Sequence, residues 1–221
     1  PLTPWKDDLV SIKRIIVEKG VTSIGDWAFA HCKEATDIVS PDGITSIGNS
    51  AFLDCDSLIS LVLPDSVAEI DYSAFINCSK LNNITLSANL PIISTHLFAE
   101  CKELTSITIR QNVIAVQGNA FRYSDKLSDV YYSGTIAQWR EIDITELGNE
   151  SLLAATIHCT DGDINPKEDD VVTELPQGVK FVPYYYAVEE NSSGFVYRVS
   201  KGQLPKGIAL DVSSGELHGV P

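Results

Sequence analysis

The stretch that decides the fold is LISLVLPDSVAEIDYSAFINC, residues 58–78, because its pattern returns along the chain with a fixed period of 23. Its alternating Leu61 and Leu63 predict a short strand, Pro64 predicts a turn, and the pair Ala74-Phe75 follows at a corner. The register is kept over successive units without an insertion. A repeated unit of this kind determines the whole architecture, so it takes precedence over any single motif.

The repeat is visible as columns of similar residues at this offset. One column is aromatic, one is cysteine with serine in the fifth place, and the others are aliphatic. Chance does not keep so many columns in phase. The members are Phe29, Phe52, Phe75, Phe98 and Phe121; Cys32, Cys55, Cys78, Cys101 and Ser124; Ile24, Ile47, Ile70, Ile93 and Val116; Ile15, Ile38, Leu61, Ile84, Ile107 and Val130; and Val21, Ile44, Val67, Leu90 and Val113.

One coil per repeat lets each strand hydrogen-bond to the equivalent strands of the adjacent coils, about 4.8 Å away. Equivalent side chains then stack in ladders. We therefore predict a right-handed solenoid that is mainly β with short helices. Since one repeat cannot bury its apolar face alone, we expect truncation of the central Phe75 to cost more stability than truncation of the terminal Phe29 or Phe121.

Composition excludes several classes of partner. The chain has 221 residues and a formal charge of −14, which repels nucleic acid and anionic lipid, and it contains no basic cluster that would offset this charge. It also lacks the ~20 apolar residues in a row that a membrane helix needs. The chain begins at Pro1 and has no methionine. We therefore expect a processed or excised chain whose targeting signals lie outside it.

The phrase ITSIGNSAF at residues 44–52 repeats GVTSIGDWAF at residues 20–29, and together with the cysteine position it resembles the BspA-type leucine-rich repeat family of bacterial surface proteins. The resemblance covers about residues 12–133, within a first domain that we place at residues 1–133. It implies a leucine-rich-repeat solenoid on a bacterial cell surface or in the extracellular space, with a role in adhesion.

Residues 134–160 are expected to cap the solenoid. Thr135 and Gln138 form a capping box, and Ile136, Trp139 and Ile142 share one helical face. The segment around Asn149–His158 is similar to the closing element of the same family. Such a cover hides unpaired strand edges at the end of a repeat array.

The remaining sequence predicts a linker and a second module. Residues 161–174 are acidic and poor in apolar groups, which is typical of a linker. In residues 175–221 the segments LPKGIALD at 204–211 and SGELHGVP at 214–221 resemble an Ig-like module common in bacterial surface proteins. Tyr184–Val188 and Phe195–Val199 alternate as strands do. The chain ends before a β-sandwich could be complete, so we expect a partial module.

The cysteines and histidines do not predict chemistry. The four in-phase thiols project in a line, whereas a tetrahedral metal site needs ligands that converge, and their parallel Cβ directions oppose disulfides. We interpret them as a buried thiol ladder, with Cys159 packed in the cap. The four histidines, at 31, 96, 158 and 218, lie at unrelated phases and are expected in solvent.

A segment of the cap region has part of the spacing of a calcium loop. Asp161, Gly162, Asp163, Asn165 and Glu168 match its second half, but the first two ligand positions would be Ile157 and Cys159. An EF-hand-type site is therefore excluded, and a solvated acidic segment or a looser cation contact are the alternatives. We predict no catalytic residues, no metal site and no cofactor.

The candidate ligand-binding surface is the outward face of the first strand in each repeat. It is rich in hydroxyl and amide groups, with a few apolar side chains and almost no charge. The candidate residues are Thr36, Asp37, Ile59, Ser60, Asn82, Asn83, Thr85, Thr105, Ser106, Thr108, Asp129 and Tyr131, with Val39, Val62 and Ser128 between them.

These features favour a non-catalytic recognition or adhesion scaffold that binds proteins, by the resemblance host matrix or cell-surface proteins. Two alternatives stay open. A carbohydrate-binding module would use the same face, where Tyr131 and Tyr132 are the only aromatic platform. A structural spacer of a larger surface protein would need no ligand. No nucleic-acid partner and no membrane insertion of this segment are expected.

Overall fold

A computed structural model describes residues 9–165 and, further on, three strands within residues 186–219. The chain divides into two compact units, Pro1–Pro166 and Lys167–Pro221. The candidate surface lies entirely in the first unit.

The first unit is a succession of very short elements. A 3-10 helix covers Leu9–Ser11 and precedes the first strand. The strands of the repeats and of the cap, with the two helices, are β1 Arg14–Ile16, β2 Ser23–Ile24, β3 Asp37–Val39, β4 Ser46–Ile47, β5 Ser60–Val62, β6 Glu69–Ile70, β7 Asn83–Thr85, β8 Ile92–Ile93, β9 Ser106–Ile109, β10 Ala115–Val116, β11 Asp129–Tyr132, α1 Ile136–Arg140, β12 Asp143–Ile144, α2 Glu150–Leu153, β13 Thr156–Cys159 and β14 Gly162–Ile164.

The odd-numbered strands stack in parallel and form the first sheet. Strands β5, β7, β9, β11 and β13 pair in order, β14 closes the end antiparallel to β13, and β1 pairs with β3 as a separate ladder. The register is one repeat per step, as in Leu61 opposite Ile84 and Ile84 opposite Ile107. The predicted mainly-β solenoid with coil-on-coil pairing is confirmed.

The even-numbered strands up to β12 form the second sheet, which consists of two ladders. Strands β2, β4 and β6 pair in parallel, and so do β8, β10 and β12, but β6 and β8 are not paired with each other. The second sheet is therefore interrupted in the middle of the solenoid.

The core contains the predicted ladders. Successive rings from Phe29 to Phe121 stack with centroids 5.2–5.8 Å apart. Phe52, Phe75, Phe98 and Phe121 are fully buried, whereas Phe29 is only half-buried. The expectation that Phe121 is a weakly packed terminal residue is therefore wrong, because the cap covers it.

Each corner is flanked by two residues in the left-handed backbone region. Trp27, Ser50, Ser73, His96 and Asn119 precede the buried corner, and His31, Asp54, Asn77, Glu100 and Tyr123 follow it, with φ between 52° and 65°. Side chains other than glycine and asparagine adopt this region at a cost. The packing of adjacent coils thus maintains the sharp corners, although the backbone preference of most of these residues opposes this conformation.

The cap completes the sixth coil, which begins with β11, and adds the final strands β13 and β14. β13 pairs with β11 so that Tyr131 lies opposite His158, and β12 pairs with β10 so that Val116 lies opposite Ile144. The closing coil is longer than a regular repeat, because it includes α1 and α2. The predicted capping box of Thr135 and Gln138 is present at the start of α1.

Asn149 closes the last corner. In the preceding coils the amide of each corner phenylalanine donates to a carbonyl of the next coil, as from Phe98 N to Ala120 O at 2.8 Å. For Phe121 the acceptor is the side chain Oδ1 of Asn149 at 3.0 Å, while Asn149 Nδ2 donates to the carbonyls of Gln117 and Thr145. The buried side-chain amide of Asn149 therefore takes the place of the backbone carbonyl that a further regular coil would supply.

A glycine allows this approach. Gly148 has φ of +73°, and a Cβ there would lie 2.4 Å from Oδ1 of Asn119. A larger residue would push the segment away from the corner that Asn149 satisfies.

The first residues of the predicted linker, 161–164, belong to the folded cap. Gly162–Ile164 form β14, which pairs with β13, and Asp161 Oδ1 accepts a hydrogen bond from Ile136 N at the start of α1 at 2.8 Å. Acidic composition suggested a solvated segment, but the carboxylate serves the free amides of a helix N-terminus. The rest of the predicted linker lies outside the described residues.

In the second unit, β15 Tyr186–Ala187 and β16 Ile208–Leu210 both pair antiparallel with β17 Glu216–Gly219. β15 falls within the first alternating run, Tyr184–Val188. The run Phe195–Val199 lies outside the described residues, and the Ig-like module stays a prediction.

Candidate recognition surface

The outward positions of the first sheet form two columns. One contains Arg14, Asp37, Ser60, Asn83, Ser106, Asp129 and Thr156, and the other Ile16, Val39, Val62, Thr85, Thr108, Tyr131 and His158. In each strand the residue between them points into the core. We call the outward residues of these strands the strand face.

The sequence-predicted candidates all lie on this face or directly before it, and none is fully buried. The more exposed are Thr36, Asp37, Ile59, Ser60, Asn83 and Tyr131; the half-buried are Asn82, Thr85, Thr105, Ser106, Thr108 and Asp129.

Some candidates already have structural partners. The hydroxyl of Thr36 donates to Lys13 O and that of Thr105 to Asn82 O, each at 3.3 Å, and Asn82 Nδ2 donates to Glu103 O at 3.1 Å. These groups link adjacent coils. The polar groups that are left for a ligand are mainly those of the two outward columns.

The amino-terminal half of the strand face is apolar. Ile16, Val39 and Val62 occupy equivalent positions in three successive coils and are 61%, 37% and 71% exposed, and Ile59 beside them is 55% exposed. We call these four residues the apolar strip. Sequence reasoning placed Val39, Ile59 and Val62 on the face but missed Ile16, because β1 was not included.

Charge on the strand face is restricted to its two ends. Strands β5, β7 and β9 present no charged side chain. At the amino-terminal end Arg14 Nε contacts Asp37 Oδ2 at 2.9 Å. The middle of the face is therefore neutral, although the whole chain carries −14.

The carboxy-terminal end of the face has an aromatic and ionic cluster that sequence reasoning missed. His158 stacks on Tyr131 with ring centroids 4.8 Å apart, and its two ring nitrogens contact Asp129 at 2.9 Å and Asp163 at 3.1 Å. The expectation that His158 is simply in solvent is wrong. His158 follows its partner Tyr131 by more than one repeat length, which hid it from a comparison at the regular offset.

The two carboxylates change the protonation of this cluster. The hydrogen bond to Asp129 raises the pKa of His158 above its ordinary value, although partial burial lowers it, and Asp163 adds to the rise. The same bond and one from Ser128 hold the pKa of Asp129 below its usual range. Below this raised pKa the protonated imidazole joins β11, β13 and β14.

The aromatic platform proposed for glycan binding on this face is not available. Tyr132 is buried, 3% exposed, and packs edge-on against Trp139 at 5.2 Å. One face of Tyr131 is covered by His158. The reason is strand alternation, which places Tyr132 in the inward column of Leu63, Leu86 and Ile109, where it contacts the cap.

The thiol ladder is buried and contains no disulfide bond, as predicted. Cys32, Cys55, Cys78 and Cys101 are free and fully buried, and Cys159 is half-buried on β13. The thiols of Cys55, Cys78 and Cys101 donate to the corner phenylalanine carbonyls of the previous coil at 3.3–3.4 Å, and Ser124 Oγ takes over this role at 2.7 Å. Burial raises the pKa of Cys32 to about 11 and that of Cys101 to about 12, so these thiols stay protonated.

The other histidines differ in their surroundings. His31 is exposed and contacts Asp54 at 2.9 Å, and His96 is half-buried instead of exposed, while His218 has no described side chain. Within residues 9–165, no three His, Cys, Asp or Glu side chains are grouped so that they could hold a metal ion. In the same part of the chain, no helix is long and apolar enough to cross a membrane.

Comparison with known proteins agrees with this architecture. A family model described as "BspA type Leucine rich repeat region" matches residues 7–128 with six copies. The match covers more than half of the chain, and the protein therefore belongs to the BspA-type leucine-rich repeat family.

Two solved structures show the same fold. A leucine-rich repeat protein of T. pallidum is 28% identical with a TM-score of 0.51, over 54% of this chain and 59% of that one. A leucine-rich repeat protein of Eubacterium ventriosum is 23% identical with a TM-score of 0.52, over 59% of this chain and 34% of that one. The chain thus spans less than two thirds of either relative. No curated protein is similar enough to match.

Proposed function

We propose that the solenoid is a non-catalytic recognition module of a bacterial surface or secreted protein, and that it binds protein ligands through the strand face. Host matrix or cell-surface proteins are the ligand class that we favour. The observation that carries the proposal is the apolar strip beside a neutral field of hydroxyl and amide groups.

The strip supports this function because exposed aliphatic groups have no stabilising role in solvent. Val62 at 71% and Ile16 at 61% are more exposed than the polar Thr85 and Thr108 on the same column, which are half-buried. Grouped apolar residues with a polar surround are typical of protein-binding patches. The neutral middle of the face also avoids the repulsion that a charge of −14 would impose on acidic partners.

The surrounding protein is part of the same proposal. In this proposal residues 175–221 are a partial Ig-like module, which would act as a spacer between the solenoid and other domains of a longer surface protein.

The test is an array of purified extracellular matrix proteins and glycans, probed with the whole chain and with Val62→Asp. We expect protein hits that Val62→Asp weakens by about tenfold or more, since it places a charge in a desolvated contact. The matched control is Ile114→Asp, which changes an aliphatic residue that is 64% exposed but lies outside the strand face.

Equal losses for Val62→Asp and Ile114→Asp would overturn the assignment of the binding face. Binding to glycans alone would overturn the ligand class. Both variants should keep the melting temperature of the parent chain, because both positions are in solvent.

A further inference from the structure

The interruption of the second sheet creates a cleft between β6 and β8. The strand face belongs to the first sheet, so the cleft is separate from it. In the regular ladder Ala68 N donates to Thr45 O at 2.9 Å, and Ile114 N donates to Pro91 O at 2.9 Å. The equivalent donor to Ala68 O would be the nitrogen of residue 91, which is proline. A proline has no N–H, so the backbone hydrogen bond between β6 and β8 cannot form at this position.

The gap is bridged at its far end by a side chain. Asp71 N donates to Ile47 O and Gln117 N to Ile93 O, at 2.8 and 2.9 Å, but at the equivalent step the hydroxyl of Ser94 donates to Ile70 O. The coils therefore stay connected at Ser94 and separate toward Pro91. On either side of the gap the same two coils are joined by backbone pairs, in β5 with β7 and from Ser73 N to Thr95 O at 3.1 Å, so an additional peptide strand does not fit between them.

The cleft has the size and composition of a small-ligand site. Its volume is about 380 Å³. Apolar surface comes from Tyr72, Pro91 and Ile92, and polar groups come from Asp71, Thr95 and Gln117. Small-molecule sites of comparable volume combine an apolar lining with a few placed polar groups in the same way.

Two of the lining groups are held in position by the protein. The hydroxyl of Tyr72, which is 51% exposed, accepts a hydrogen bond from Asn49 Nδ2 at 2.6 Å. Gln117 Oε1 accepts from the amide and the hydroxyl of Thr95 at 3.0 and 3.1 Å, which leaves its Nε2 as a donor. Because the ring and the donor are already fixed, the protein loses less side-chain entropy when a ligand binds.

The chemistry of the lining selects the ligand. Glu69 and Asp71 are acceptors that repel anions, and no lysine or arginine lines the cleft. The Gln117 amide donates, the Ala68 carbonyl has no partner in the ladder, and the Tyr72 ring offers a flat apolar surface. A pyranose has one face of C–H groups and a rim of hydroxyls that donate and accept, so it matches all three features.

We propose that the cleft between β6 and β8 binds a neutral hexopyranose unit of a glycan, with the sugar ring stacked on Tyr72 and its hydroxyls paired with Asp71, Gln117 and the Ala68 carbonyl. The site lies on the second sheet and is independent of protein binding at the strand face. It gives the solenoid a second, chemically distinct recognition site.

The experiment is an amide-detected NMR titration of the intact, isotope-labelled chain with methyl glycosides of glucose, galactose and mannose, and of N-acetylglucosamine. For a ligand of this size we expect a millimolar dissociation constant, with saturable shifts at Tyr72, Thr95 and Gln117. Tyr72→Ala should weaken binding by about tenfold or more, since the stacking surface is lost. Tyr131→Ala, which removes a similarly exposed tyrosine from the strand face, should leave the binding unchanged.

Pro91→Ala provides a second variant that does not depend on Tyr72. It restores the missing N–H, so β6 and β8 should pair, the amide at position 91 should become protected from exchange, and sugar binding should be lost. Nα-acetyl-lysine amide, whose side-chain ammonium keeps its charge, serves as the competing probe, because two carboxylates beside an aromatic ring also attract a cation.

No saturable shift with any of the four glycosides would overturn the proposal. So would shifts that Tyr72→Ala and Pro91→Ala leave unaltered, or tighter binding of the lysine amide than of every sugar. None of these results bears on protein capture by the strand face, so the two proposals fail separately.

Discussion

The regular coils and the closing coil satisfy the same backbone groups by different means. In the regular coils each corner amide finds a carbonyl of the next repeat, and the same contact recurs at Phe29, Phe52, Phe75 and Phe98. In the closing coil one side chain, Asn149, makes this contact for Phe121. The comparison shows that the repeats share their stability among equivalent residues, whereas the cap concentrates it in a few unique ones.

The largest effect is expected in the phenylalanine ladder. Phe75→Ala and Phe121→Ala should each lower the free energy of unfolding by about 3–5 kcal/mol, because both rings are fully buried. Phe29→Ala should cost clearly less, since Phe29 is half-buried. Denaturant unfolding of the three variants measures the difference. Equal losses at all three positions would contradict the picture of stability from coil-on-coil burial.

The next effect distinguishes the cap from the repeats. Asn149→Ala removes three hydrogen bonds of a buried amide and should cost about 3 kcal/mol, because Phe121 N and two carbonyls lose their partner. The control is Asn112→Ala, which removes a single exposed hydrogen bond to Ala88 O and should cost below about 1 kcal/mol. Similar losses in thermal unfolding of the two variants would show that the cap amide is dispensable.

A smaller effect is expected in the thiol ladder. Cys78→Ser should cost only about 1 kcal/mol, since Ser124 already donates the equivalent hydrogen bond to Phe98 O. Cys78→Val should cost more, about 1–3 kcal/mol, because valine cannot donate to Phe52 O and adds volume to a packed column. Unfolding free energies in the reverse order would indicate that packing alone determines this column.

The smallest effect is the pH dependence of the cluster at His158. The folded state raises the pKa of His158, so its contribution is complete below the unfolded value of about 6.5 and is lost as the pH rises through the folded pKa. The pKa of Asp129 is lowered, so its contribution is lost when the pH falls through that folded value. The stabilisation should therefore be greatest in the mildly acidic range and decline toward alkaline pH.

The magnitude should be about 1 kcal/mol or less, as for other partly exposed ion pairs. The measurement is the difference in unfolding free energy between the parent chain and His158→Gln at pH 5.5 and 8.5. His96→Gln, at a half-buried histidine with no carboxylate contact in the described part of the chain, is the control. A difference for His158→Gln that grows with pH would contradict the sign.

The sequence predicted the features that the period repeats or that a local motif marks, and it missed contacts that the closing coil makes once. The ladders of Phe75 and Cys78, the strands and the capping box at Thr135 all follow from spacing or from a local motif. The burial of Phe121 and the position of His158 depend on a closing coil that is longer than the repeat, which a comparison at one fixed offset does not detect. The linker prediction failed at Asp161 because composition does not show that a carboxylate caps a helix.

The candidate sites follow the same division. Alternation placed Val39 and Val62 on the outer face of the first sheet. The cleft at Tyr72 was missed. Pro91, directly before β8, is a signal that could have found it, because a proline nitrogen cannot donate to the neighbouring strand. Local exceptions to a repeat are thus the positions where recognition sites are best sought.

Amide hydrogen exchange across the corner phenylalanines tests the central claim, that coil-on-coil pairing carried through Asn149 holds the solenoid together. In the parent chain the Phe121 amide should be protected as strongly as that of Phe98. In Asn149→Ala protection should fall first at Phe121, then less at Phe98, and least at Phe52. A uniform loss along the ladder, or an unprotected Phe121 amide in the parent chain, would contradict the account.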